Sequence, residues 1–73
     1  MIIKREEAIK RLKAGSLLCE TIWGGYHYTI DGDTVLFQSA RKFIKEGLVI
    51  EDKSKGKSPL VKWFKWKGGT SGQ

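Results

Sequence analysis

Gln38, Arg41, Lys42 and Lys45 recur at helical spacing inside the stretch from Leu36 to Leu48, LFQSARKFIKEGL. A guanidinium reads guanine through two parallel hydrogen bonds, a carboxamide reads adenine the same way, and ammonium groups meet phosphate as point charges. The chemistry they suit is nucleic-acid recognition, with Gln38 and Arg41 as base readers and Lys42 and Lys45 as phosphate contacts. Lys53, Lys55 and Lys57 stand at alternate positions of the following segment DKSKGKSP and add flexible phosphate contacts. The same three lysines also fit a plainer role, that of a solubilising loop guarding a sheet edge.

Catalytic chemistry has no comparable set. His27 is the single histidine, and no nucleophile, base and orienting group can be named together. Asp31-Gly32-Asp33 lacks the further carboxylates of a metal loop and is more simply a turn. GKSP lacks the upstream glycine of a phosphate loop and precedes no helix. The expectation is a protein that is not an enzyme and needs no cofactor or metal. Cys19, the only cysteine, permits no internal disulfide and fits a reducing compartment as a buried thiol.

The elements that must position these side chains follow from periodicity. Leu36, Phe37, Ala40, Phe43 and Ile44 share one side of a helix over 34–46, opposite the basic residues, and Gly47 is placed to end it. Its start is open. If it begins late, Gln38 and Ser39 sit at its N-terminus, where free amides and small polar side chains meet phosphate; if it begins at Thr34, they lie a turn deeper. Asp33 or Thr34 is the expected cap, and Val35 is either a lone extended residue or part of the first turn.

Lys4 to Ala14 predicts a first helix, with Ala8, Ile9 and Leu12 on one stripe, Glu6 and Glu7 in its first turn, a poor N-cap and a stop at Gly15. Ile2 and Ile3 either pack onto the core or add an edge strand. Ser16 to Trp23 and Tyr26 to Asp31 predict a hairpin about the two-residue turn Gly24-Gly25. Tyr26, Tyr28 and Ile30 share one face of its second strand, while the first strand's inward face is ambiguous. Leu48 to Glu51 and Leu60 to Lys67 predict two further strands about the exposed lysine loop. The last of these is the strand most committed to packing. Its Trp63, Phe64 and Trp66, interleaved with Lys62, Lys65 and Lys67, fit a core first and a single-strand stacking platform second.

The pattern of a helix, then KEGLV, then a hairpin resembles the recognition helix and wing of the winged helix-turn-helix superfamily. The resemblance covers about two thirds of the chain. It implies an α+β, winged-helix-like domain in the order helix, hairpin, helix, hairpin, in which a Gly-Gly hairpin replaces the usual second helix. Reduced domains of this kind occur in phage and plasmid proteins. The implied activity is regulatory binding of double-stranded DNA, with a homodimer needed for useful specificity.

Bulk properties agree with a binding role. At 73 residues the chain makes one domain, residues 1–67, followed by a polar tail, 68–73, expected to be disordered. The net charge is +6, and it is segregated. Residues 1–15 carry five basic and two acidic groups, and residues 35–47 three and one. Residues 48–73 carry six and two, whereas residues 16–34 carry three acids and no base. A basic surface made by the helices and last hairpin favours a polyanion. The alternative is a small phage-type inhibitor or adaptor that binds an acidic protein, with Trp23, Tyr26 and Tyr28 as the contact. No secretory signal or membrane span is evident, and the expected location is cytoplasmic.

Overall fold

The computed structural model describes residues 1–55 and 58–67, with the backbone alone at Lys55. Among them the chain runs β1 (Ile2–Ile3), α1 (Arg5–Lys13), β2 (Leu18–Ile22), β3 (Tyr26–Ile30), β4 (Asp33–Val35), α2 (Phe37–Lys45), β5 (Val49–Glu51), a 3-10 turn at Lys53–Lys55, and β6 (Val61–Trp66). The strands form one sheet in the order β1-β4-β3-β2-β6-β5. Every neighbouring pair is antiparallel except β1 with β4. The protein is a small α+β domain. Gly68 to Gln73, the expected tail, lie outside the described residues.

Both helices stop by the same device. Gly15 (φ 110°) and Gly47 (φ 76°) take the positive φ that glycine adopts without a Cβ penalty. The Ser16 amide then bonds back to the Arg11 carbonyl, and the Leu48 amide to the Phe43 carbonyl, each at 3.0 Å. These bonds satisfy carbonyls that a helix end would otherwise leave orphaned. At the other end neither helix has a side-chain cap, so Asp33 and Thr34 do not cap α2.

That helix starts at Phe37, later than Thr34, because Thr34 and Val35 are strand residues paired with Ile2 and Ile3. Leu36 is its extended N-cap (φ −59°, ψ 137°) and lies off the helical stripe. The stripe itself is divided: Ala40 and Phe43 are buried, but Leu36 and Phe37 are 51% and 49% exposed. Two turns shape the sheet between the helices. Ile22 pairs with Tyr26, so the first hairpin turns through three residues, Trp23-Gly24-Gly25, instead of two. Asp31-Gly32 (φ 54° and 84°) then makes a two-residue turn with positive φ at both positions, and it creates β4.

Strand pairing sorts the side chains by face. Leu18 lies between Ile30 and Phe64, and Glu20, Tyr28, Val35 and Ile3 form the next row across the sheet. Onto these rows pack Ala8 and Leu12 of α1 and Ala40 and Phe43 of α2, giving one core. The helices therefore share one face of the sheet. Alternation sends Cys19, Thr21, His27, Thr29 and Trp63 to the other face, where Cys19 is only partly buried rather than a core thiol. It also splits the last strand. Phe64 is buried, Trp66 packs partly against the core, and Trp63 points the opposite way, so these rings form neither a joint core nor a joint stacking platform.

Candidate functional site

The outer surface of α2 is where the structure gathers most of the sequence-selected residues. Gln38, Lys42 and Lys45 are exposed and lie opposite Ala40 and Phe43, as a helical repeat of about 3.6 residues requires. Ser39 occupies the third helical position, partly buried. An open groove along this side is lined by Phe37, Gln38, Arg41, Lys42, Ile44 and Lys45, with Glu46 at its end. Phe37 and Ile44 supply its apolar lining, and Arg41, Lys42 and Lys45 its cationic lining.

Arg41 is exposed too, and it leans toward the first hairpin. Its guanidinium lies over the Tyr26 ring, 5.8 Å from the centroid, and interacts with the Tyr28 hydroxyl beneath. That hydroxyl donates a 2.6 Å hydrogen bond to Glu20 Oε2. Glu20 is 5% exposed, and Tyr28 is 1% exposed. A buried carboxylate needs a donor, and here Tyr28 supplies it, while the Arg41 charge acts on Glu20 at longer range. Burial and the bond to Glu20 raise the Tyr28 pKa above its ordinary value, while Arg41 pulls it the other way. Arg41 in turn is held in its charged form, by the Tyr28 hydroxyl first and by Glu20 at longer range. Tyr28 is thus a core residue, and the expected aromatic contact surface loses its central member.

Tyr26 and Phe37 stay at the surface. Tyr26 is 50% exposed, and its ring lies 6.2 Å from that of Phe37, which sits 5.9 Å from Tyr28. Trp23, in the turn just before Tyr26 and its partner Ile22 meet, is 71% exposed. Phe37 and Glu20 were not among the residues selected from sequence. Phe37 carried one signal, its place one helical turn before Arg41.

The lysine loop is a separate feature. Lys53 is exposed in the 3-10 turn, where the Ser54 amide donates to Asp52 Oδ1 at 3.0 Å. It lines a depression with Glu51, Asp52, Ser58, Pro59, Val61, Lys62 and Trp63, none of which lines the α2 groove. The side chain of Lys55, and Lys57 altogether, lie outside the described residues.

The acids of the first hairpin are turned to internal use. Besides Glu20, Asp33 accepts a 2.8 Å bond from Arg11 Nη1, and Asp31 accepts a 3.0 Å bond from Ser16. Arg11 also bonds Glu7 at 3.0 Å, so it ties α1 to the β3–β4 turn. Its bond and charge hold the Asp33 carboxyl below the ordinary carboxylate range. Among the described residues no group of His, Cys, Asp and Glu is placed to hold a metal, and no helix is long and apolar enough to cross a membrane. No protein-family model matches the chain, and neither does any curated protein or solved structure.

Proposed function

We propose that this protein binds nucleic acid, double-stranded DNA in the first place, through the outer face of α2. Lys42 and Lys45 meet backbone phosphate, and Gln38 is the base reader. Ser39 and the amides at the start of α2 adjoin the phosphate path, while Arg41 is a brace for the helix before it is a reader. Charge distribution carries this reading: the hairpin's acids are spent on Tyr28, Arg11 and Ser16, whereas Gln38, Lys42 and Lys45 stand exposed together. In the winged-helix form of the proposal, β5 and β6 with Lys53, Lys55 and Lys57 act as a wing that meets backbone phosphate apart from the α2 groove.

Nine residues at about 1.5 Å each give α2 a length that spans only a few base pairs. Useful site selection then calls for a homodimer, and a regulatory role follows from such a pair reading two half-sites. Fluorescence anisotropy with random-sequence duplex tests the reading. Binding should be clear at low salt and fall steeply as salt rises, because phosphate contacts release counterions. Absence of binding at low salt overturns it.

A further inference from the structure

Tyr26, Phe37 and Arg41 make a surface that duplex binding by the outer face of α2 leaves unused. We propose that it is a stacking site for an unpaired base, so that the preferred ligand is a duplex bearing an overhang or bulge. This rests on the nucleic-acid reading above and names the form of nucleic acid it takes.

Two rings about half exposed adjoin at a tilt of 54°, and the buried Tyr28 ring packs against Phe37 from within, so each exposed ring offers its own surface to a base. A base offers a π-face to such rings whatever its identity, and it stacks equally well on a guanidinium plane. Arg41 provides that plane above Tyr26, with its guanidinium 5.8 Å from the ring centroid. Phe37 and Arg41 also line the α2 groove with Gln38, Lys42 and Lys45, so a base on the rings has phosphate contacts beside it and a carboxamide within the same groove.

Charge favours the same class of ligand. The hairpin carrying Tyr26 is acidic in sequence, yet its surface here is not. Glu20 is 5% exposed beneath Tyr28, and Asp33 is bound to Arg11, where it pairs with Ile30 at the other end of β3. What remains beside the rings is cationic, with Glu46 at the end of the groove. Exposed aromatic rings beside positive charge are the combination that grips single strands.

The test compares a blunt duplex with the same duplex carrying a short single-stranded overhang, by anisotropy at one salt concentration. The wild-type protein should bind the overhang form about tenfold or more tightly, the effect expected of a stacked base. Tyr26→Ser should erase that preference while leaving blunt-duplex affinity in place, and Phe37→Ser should lower overhang affinity more than blunt-duplex affinity. Lys42→Ala with Lys45→Ala should weaken both ligands together. Circular dichroism melts check that each variant is folded, and if Phe37→Ser is not, Tyr26→Ser alone decides. Equal affinity of the wild-type protein for both ligands overturns the stacking site and leaves the duplex reading standing. So does retention of the preference in folded Tyr26→Ser, or saturation of the rings by an acidic peptide without effect on the overhang preference. Failure to bind either ligand overturns both.

Discussion

Arg11 and Arg41 hold corresponding posts, one on each helix, and both reach down to the strands around β3. Their surroundings differ. Arg11 meets three carboxylates, with Asp33 at 2.8 Å, Glu7 at 3.0 Å and Asp31 at 4.0 Å. Arg41 meets two aromatic groups, and the one carboxylate behind them is already bonded to Tyr28. The first arginine is saturated by acid and does structural duty alone. The second is oriented without being neutralised at the surface, so its end of the molecule keeps a positive, aromatic character. Two clusters of similar composition thus give a closed end and an open one.

The comparison is broken most severely at Tyr28, the joint between Glu20 and Arg41. Tyr28→Ala removes a fully buried ring and should cost about 3–5 kcal/mol in urea unfolding, as other buried aromatic truncations do. Tyr28→Phe keeps the ring but strips Glu20 of its donor, at a cost of about 1–3 kcal/mol from the unsatisfied carboxylate. A Tyr28→Phe variant as stable as wild type would mean that Glu20 finds another donor and that the chain to Arg41 is dispensable.

Extremes of pH separate the two clusters. Asp33 has a folded-state pKa below the unfolded value of about 3.9, chiefly through its bond to Arg11. Its stabilisation is therefore complete above that value and lost as pH falls through the folded one. Tyr28 has a folded-state pKa above the unfolded value of about 10, chiefly through burial and then through Glu20. Its contribution is complete below about pH 10 and lost as pH rises through the folded value. Thermal melts across pH should show Asp33→Asn flattening the acid limb alone and Tyr28→Phe flattening the alkaline limb. If Asp33→Asn changed the alkaline limb, the clusters would not be independent. The smallest effect on folding belongs to Lys42→Ala and Lys45→Ala, each expected within about 0.5 kcal/mol of wild type because these side chains are exposed.

Much of this architecture was legible from local pattern. The two helices, their glycine stops and the strands about Gly24-Gly25 follow from spacing and turn chemistry, which act over a few residues. β1 was legible only as one of two alternatives and β4 not at all, since each is two or three residues long and β1 pairs with a segment some thirty residues away. Asp31-Gly32 carried the signal for β4, but a flanking strand as short as Asp33–Val35 reads equally well as a cap region. The exposed face of α2 was legible from helical spacing alone, at Gln38, Arg41, Lys42 and Lys45. Arg41 is exposed as amphipathicity predicts, but its position over Tyr26 was not legible, because that ring comes from β3. The separation of Lys53 from the α2 groove is likewise a matter of topology: α2 crosses from β4 to β5, and the loop lies beyond the far end of β5.

The central claim is that the open end acts through Lys42 and Lys45, and salt dependence tests it most directly. Plotting the logarithm of duplex affinity against that of salt concentration for wild type and for Lys42→Ala with Lys45→Ala should give a slope shallower by about two in the variant, one for each phosphate contact removed. An identical slope and affinity in the folded double variant would contradict the claim and remove α2 from the interface.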